Sequence, residues 1–566
     1  MTVERIYGRP KRLVRDLIRS RPSILRTLAL SVLLTALLAP TVAAAADRPS
    51  SAGESIYRHG ILGAGEPLEG TREAGMRMQG AAAACVNCHR RSGLGSKEGG
   101  IMIPPITGRY LFNPRAPNTD DMNVPYVQSM RGDRNPYTEA TLARAIRDGL
   151  DSDGRPMNYL MPRFALNDGD MASLIGWLKQ RDQRKVRGVT DAVLHFATII
   201  TPDADPVKRR GMLDVMEKYF ADKNARQLGA TPRLRSSNKT AFSKVMFMVN
   251  RRWELHVWEL TGPESTWQAQ LRRYMSAEPV FAVVSGIGGK TWQPVHAFCE
   301  EAAVPCLFPN VDVPVEADGG FYSLYFSRGV LLEAELIANT IGEAPDRERI
   351  KAVKQIYRAG DIGASAATAF AAALKRYNIP VTSRVLEPGE NVSAALGKTA
   401  ATDAIVLWLR PQDIAALGNS QPVTASAYMS GLMGGLERSP LPANWRERMH
   451  VAYPVDLPEK RRYRVDYAYG WFAVRKIAVV ADQVQADTFL ACGLLAETVG
   501  HMVDTFVPEY LIERMQDMIE RRIVTGYYPR LTLAAGQPFA SKGGYMVRFA
   551  EPAGTRVVAL GNWTTP

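Results

Sequence analysis

The chain has 566 residues, 46% of them hydrophobic and 22% charged, which is more than one hydrophobic core usually supports and too apolar for a disordered majority. Its formal charge of +13 is concentrated at the front, where the first 26 residues hold eight Arg/Lys against two Asp/Glu; their removal leaves about +7. No lysine-arginine block or RNA-binding signature accompanies this charge, so nucleic acid explains it poorly, whereas an acidic redox partner or a solvated surface explains it well.

The basic stretch from Arg5 to Arg26 is followed by the apolar run Leu28 to Leu38 and by small residues from Thr41 to Ala46. This is the order of a secretory signal peptide, residues 1–46, and its apolar run of about a dozen residues falls short of the ~20 that span a bilayer. The expected location is the periplasm, with membrane contact only if the signal segment stays uncleaved.

A first module is expected over residues 47–188. Ser55-Ile-Tyr57 opens a short helix, and Cys85-Val-Asn-Cys88-His89 follows. C-x-x-C-H is the spacing at which two thiols reach the two vinyl groups of one haem and the next residue reaches its iron; the alternative is a redox dithiol or half a zinc site. Covalent haem c, one per chain, is therefore the expected cofactor, held by Cys85 and Cys88 with His89 on the iron. Arg90 to Gly108 has loop composition, and its segment Gly100 to Thr107 is expected to pack on the haem face. Tyr137 to Gly149 reads as an amphipathic helix ending on glycine, and Asp168 to Lys179 as a second helix with a carboxylate at its start.

Between those helices lies Met161-Pro162-Arg163-Phe164. With the C-x-x-C-H and the closing helix, it makes the module resemble a class I cytochrome c, in which a Met-Pro loop supplies the sixth iron ligand. The resemblance implies a small all-α domain with Met161 opposite His89. A soft thioether in that place favours reduced iron. Met102, Met122, Met130 and Met157 are the alternative sulfur candidates, and His59, the module's other histidine, is the candidate for bis-histidine ligation. Arg90, Arg91, Lys97 and Arg163 are candidates for haem propionates or for steering an acidic partner, or are solvated loop charges. The stretch Thr71 to Ala84 lengthens the usual spacing before Cys85 and is expected to leave the ligands untouched.

From about residue 190 to 566 strands alternate with helices. Val193–Ile200, Trp253–Leu260, Val280–Val284 and Val304–Phe308 read as strands, with helices at Val207–Phe220, Glu264–Met275 and Trp292–Ala302 between them. The pattern restarts with Ile350–Tyr357, a helix Ala364–Tyr377, then Ala404–Leu409, Ala425–Met429 and Met449–Tyr453. Right-handed crossovers of this length build parallel sheet, and two runs mean two lobes. Long helices over Ala481–Arg522 and extended segments at Tyr527–Leu533 and Gly544–Phe549 are expected to cross back over the lobes.

The stretches Pro279–Gly286, Phe298–Pro309 and Ile356–Gly363 make this module resemble the type 1 periplasmic solute-binding proteins of the branched-chain amino-acid receptor group. That implies a two-lobed α/β fold with a ligand in the cleft between lobes, and it places Ser285, Asn310, Tyr325 and Asp361 there. The serine and threonine pair with which such receptors hold an amino-acid backbone is not clearly present. Trp292, Tyr322 and Trp408 read as core residues. Cys299 and Cys306 are either a disulfide or two buried thiols, and Cys492 is a small core residue.

Two functions fit this combination. The first is a periplasmic electron carrier, passing single electrons through a His/Met-ligated haem to a dehydrogenase or another cytochrome, with the larger module for ligand recognition or docking. The alternative is the substrate-binding receptor of an ABC-type transporter with an accessory cytochrome. No flavin, quinone or nicotinamide fingerprint and no convincing catalytic base is visible, so substrate chemistry of its own is not expected.

Overall fold

The computed structural model describes residues 51–99, 101–112, 134–181, 185–234, 251–317, 319–345, 350–396, 403–418, 420, 424, 426–502 and 505–566. The expected signal segment and the ligand candidates Met122 and Met130 lie outside these residues.

In the first module α1 (Ala52–His59) starts where the Ser51 side chain accepts a hydrogen bond from the Glu54 amide, and it stops at left-handed Gly60. It crosses α5 (Asp168–Gln180), and the crossing explains Gly53: a Cβ there would lie 2.2 Å from the Ser173 carbonyl oxygen. Between them come α2 (Val86–His89), α3 (Gly108–Phe112) and α4 (Glu139–Asp148). Thr138 and Thr141 form a reciprocal capping box at the start of α4, and Gly149 closes its end. For α5 the cap is Asn167, with Asp168 and Asp170 in the first turn where they meet the positive end of the helix dipole.

The expected all-α character needs correction. The strand β1 (Glu69–Thr71) pairs antiparallel with β2 (Arg77–Gln79) and with β5 (Arg163–Phe164), and β3 (Ser96–Glu98) pairs with β4 (Ile101–Ile103). The physical reason is the lengthened spacing before Cys85: it supplies extended chain, and Gly70 leaves room for the Phe164 ring to lie across it. Thr71 and Gly70 pair with Arg163 and Phe164, the two residues that follow Met161-Pro162.

The second module holds two sheets of matching topology. In the first, β6 (Val193–Ile200), β7 (Arg252–Glu259), β8 (Ala282–Val284), β9 (Cys306–Leu307) and β10 (Ser323–Leu324) are all parallel, in the order β10-β9-β8-β6-β7. Its crossovers are α6 (Pro206–Leu234), α7 (Trp267–Ala277) and α8 (Gln293–Ala302). After β10 the chain enters the second lobe through α9 (Val330–Gly342). There β11 (Val353–Arg358), β12 (Val381–Leu386), β13 (Ala404–Trp408), β14 (Ser426–Ser430) and β15 (Met449–Tyr453) form a parallel sheet in the order β12-β11-β13-β14-β15, with α10 (Gly363–Leu374) after β11. Both orders are the doubly wound 2-1-3-4-5 arrangement, whose ligands gather beyond the C-terminal strand ends where the winding reverses.

The chain then returns by α11 (Pro458–Val474) to α12 (Asp482–Met502), which packs on α6 of the first lobe and on α13 (Pro508–Ile519). It crosses a third time to add β16 (Tyr545–Phe549) and β17 (Val557–Ala559), both antiparallel, to the second sheet. The expected crossing at Tyr527–Leu533 is extended chain without strand pairing, but just beyond it Phe539 bridges to Tyr325. Among the described residues no helix is long and apolar enough to cross a membrane.

Residues 48–566 form one compact unit, and the junction between the modules is packed, not loose. A Cβ on Gly188 would lie 2.1 Å from the Phe281 amide nitrogen, and the Gly188 carbonyl accepts from the His195 amide at 2.8 Å. Leu94, six residues after Cys88, is buried in the same apolar cluster as Phe196, Phe281 and Leu511 of the second module. Full burial of such a side chain contributes about 1.5–3 kcal/mol, so the loop after the C-x-x-C-H motif is part of the larger module's core.

Candidate functional site

Two sites emerge, one in each module. In the first, Cys85 caps the single turn α2, so Cys85, Cys88 and His89 share one face by i, i+3, i+4 spacing. His89 is buried, and its Nδ1 lies 2.9 Å from the Pro104 carbonyl oxygen. A carbonyl can only accept, so Nδ1 carries the proton and Nε2 keeps its lone pair. Burial lowers the His89 pKa to about 4, against the opposing pull of that carbonyl, so the ring is neutral at physiological pH. Burial likewise raises the Cys85 thiol to about 12.

These residues face two adjoining cavities of about 280 and 90 Å³, both lined by Cys85, His89, Met157 and Met161, with Cys88 on the larger one. The walls are otherwise mainly apolar, including Pro104, Phe164 and Leu160. Two thiols, a neutral imidazole with a fixed tautomer and a thioether around one apolar space form a donor set that fits a covalently held haem. Among the expected alternatives, Met157 and Met102 line the larger cavity beside Met161, whereas His59 on α1 does not reach it. The expected packing loop is there, with Ile101, Met102, Ile103 and Pro104 on the cavity wall.

The basic residues divide differently from expectation. Arg90 pairs with Asp517 at 2.9 Å and the Arg91 guanidinium lies 4.7 Å over the Phe321 ring, so both face the second module and not a propionate. Arg163 donates to the Asp148 carbonyl at 3.1 Å, and Lys97 is exposed. The guanidinium that does line both cavities is Arg134, stacked 3.9 Å over Tyr137. No motif marked it, because it stands far in sequence from the C-x-x-C-H.

The second site is a cleft of about 820 Å³ at the C-terminal strand ends of both sheets. Asn310, Tyr325 and Asp361, three of the four expected cleft residues, line it. Ser285 does not: it is fully buried behind the cleft, 2.9 Å from Asn310 Nδ2 and 3.1 Å from Thr488 Oγ1, so it orients Asn310 instead of meeting a ligand. The strand-to-loop turn at Ser285 takes a left-handed backbone (φ 54°), and the chain reaches the cleft wall at Ile287 to Lys290. The Tyr325 hydroxyl lies 3.0 Å from His296 Nδ1. As expected, Trp292 and Trp408 are core residues. Tyr322 sits at the junction of modules, donating to Glu509 at 2.9 Å. Cys299 and Cys306 are free buried thiols, with a hydrogen bond to Cys306 and burial raising the Cys299 pKa, and Cys492 is buried and free.

Several charged side chains stand on the cleft wall. Arg410 grips Asp361 with two hydrogen bonds of 3.0 Å and reaches Asp312 of the first lobe at 3.3 Å. Lys208 approaches Asp312 to 3.9 Å. Burial pushes the Asp312 pKa up, but Lys208 and Arg410 win and hold it below the ordinary carboxylate range. A second ion pair, Arg438 to Asp482 at 2.6 Å, joins the turn after β14 to the start of α12. Deeper lies Asp487, whose pKa burial raises to about 7 against the Tyr528 hydroxyl at 3.1 Å, and whose Oδ1 has no hydrogen-bond partner. Arg410, Asp312, Asp482 and Asp487 were not singled out from the sequence.

No protein-family model matches the chain, and no curated protein matches it. Solved structures similar to it include a fatty acid ABC transporter substrate-binding protein from Thermomonospora curvata, at 15% identity and a TM-score of 0.48, covering 68% of this chain and 95% of that one. A solute-binding protein of an ABC transporter from R. palustris, in complex with benzoate, is 13% identical with a TM-score of 0.47, covering 66% and 97%. A branched-chain amino acid transporter substrate-binding protein from Streptococcus pneumoniae, in complex with isoleucine, is 11% identical with a TM-score of 0.45, covering 66% and 100%. The paired 2-1-3-4-5 sheets and their three crossings establish the two-lobed periplasmic-binding-protein-like fold without them.

Proposed function

We propose that this chain is a periplasmic receptor that binds a small polar solute between its two lobes, of the kind that serves an ABC-type transporter. The observation that carries this reading is the 820 Å³ cleft at the C-terminal ends of both sheets, crossed by the Arg410–Asp312 and Arg438–Asp482 ion pairs. Residues from both lobes then meet one ligand, so binding favours lobe closure through differential contacts in the closed state. The sequence alone ranked electron carriage first and reception second; the two-lobed cleft reverses that order. A thermal-shift screen of the full exported protein against amino acids, carboxylates, amines and aromatic acids tests it. A solute at one hundred times its Kd adds about 2.7 kcal/mol of stability, visible as a rise in Tm of several degrees. If no class of solute raises Tm, the receptor reading is wrong.

A second function is favoured by the convergence of Cys85, Cys88, His89 and Met161 on one cavity. When bound there, a haem c supplies one-electron exchange with a dehydrogenase or another cytochrome. His89 is held neutral by burial and oriented by Pro104, Met161 stands two residues before β5, and the apolar walls exclude water. A reduced-minus-oxidised spectrum is the test. Met161→Ala is expected to lose the sulfur-ligand band while keeping covalent haem; a band unchanged in that variant moves the ligand to Met157 or Met102.

A further inference from the structure

Away from both sites, on the adjacent strands β6 and β7 of the first sheet, His195 of β6 and His256 and Glu254 of β7 bring their ligand atoms within 4.8 Å of one another. All three side chains are half-buried, and the register pairs His195 with Glu254. His195 Nδ1 lies 3.0 Å from His256 Nε2, and His256 Nδ1 lies 3.1 Å from a carboxylate oxygen of Glu278, the residue that ends α7.

This chain of contacts determines the tautomers. Glu278 accepts the proton of His256 Nδ1, which leaves the lone pair of His256 Nε2 aimed at His195. An outer carboxylate that orients an imidazole in this way is what metal-binding histidines regularly have. His195 Nδ1 then supplies the hydrogen between the rings, and a shift to its other tautomer frees a second lone pair at the same point. One oxygen of Glu254 is engaged by Arg252 at 3.1 Å, which leaves its other oxygen for a third contact.

From these contacts we propose that His195, His256 and Glu254 form a divalent transition-metal site that prefers Cu²⁺ to Zn²⁺. The preference follows from the donors: nitrogen and oxygen sites of this kind hold Cu²⁺ more tightly than either Ni²⁺ or Zn²⁺. The rings meet end-on across the 3.0 Å contact, with centroids 5.3 Å apart and planes 30° from parallel, so each turns by roughly 40° to bring its lone pair onto one ion. Among the described residues three protein ligands converge, and further positions are open to water or an outside ligand.

The test is titration of the full haem-loaded protein with Cu²⁺, Ni²⁺ and Zn²⁺, read by equilibrium dialysis and by the Cu(II) paramagnetic resonance spectrum. One Cu²⁺ per chain with two imidazole nitrogens is expected, with Zn²⁺ at least tenfold weaker. His195→Gln and His256→Gln should each weaken Cu²⁺ binding at least tenfold and leave one imidazole in the spectrum, while Glu254→Gln keeps both nitrogens and weakens binding less. Melting curves confirm that each variant is folded. Copper that keeps both nitrogens in the two histidine variants, or that binds no more tightly than to a variant lacking both, overturns the assignment, as does Zn²⁺ binding as tightly as Cu²⁺.

Discussion

The cavity of the first module and the cleft of the second are built in opposite ways. The cavity is small and largely apolar, its ligand donors are neutral, and three of its four expected haem contacts come from one five-residue stretch. The cleft is about three times the volume of the larger cavity, is walled by ion pairs, and draws Asp312, Asp361, Arg410 and Asp482 from four separate loops. A prosthetic group held for life suits the first. A solute that must enter and leave suits the second, because charged walls keep it hydrated when open and give it specific partners when closed.

The sharpest way to break the comparison is to remove the thiols. Cys85→Ala with Cys88→Ala should abolish covalent haem in the exported protein, read by haem staining of the denatured chain, while solute-dependent thermal shifts persist. If the shifts vanish with the haem, the two sites are not separable. Next in size is the cleft itself. Arg410→Met leaves Asp312 and Asp361 without their shared guanidinium and should weaken solute binding at least tenfold, about 1.4 kcal/mol or more, with the haem spectrum unchanged.

The junction gives a pH-dependent prediction. Glu513 of α13 is buried and accepts hydrogen bonds from the Ser92 amide, at 2.9 Å, and from the Ser92 hydroxyl. Burial raises its pKa from 4.5 to about 7, the Ser92 contacts opposing. A folded pKa above the unfolded one means that the folded protein holds the proton longer. The carboxyl's contribution is therefore fully present below pH ~4.5, is lost as pH rises to about 7, and is level above that. Denaturant unfolding of Glu513→Gln should lack this decline, with wild type losing roughly 2–3 kcal/mol more than the variant between pH 4.5 and 7.5. Equal pH profiles would refute the assignment. The smallest effect is expected from Ser92→Ala, which removes the hydroxyl that also accepts from the Leu94 amide at 3.1 Å and should cost about 1–2 kcal/mol in the same assay.

The same contrast explains what could be read from the amino acids. The shared face of Cys85, Cys88 and His89 was legible because local spacing sets it, and Met161 lines the same cavity. The strands and helices of both lobes were legible from hydrophobic runs, and with them Asn310 and Asp361, each at a strand's C-terminal end. Ser285 shares that position yet is buried behind Asn310, in contact with Thr488 of α12, 203 residues away. Arg410, Asp482 and Asp487 carry no local signature: their meaning comes from partners more than 40 residues away, as Arg410 has in Asp361 and Asp312. The packing of Leu94 and Ser92 into the second module was hidden for the same reason, with Glu513 standing 421 residues from Ser92.

The most direct test of the central claim, that the cleft binds a solute between the lobes, is calorimetric titration of the best compound from the thermal-shift screen into wild type and into Arg410→Met. The account predicts one site per chain in wild type and at least tenfold weaker binding in the variant, with both proteins folded. Binding of equal affinity to the two proteins would contradict it.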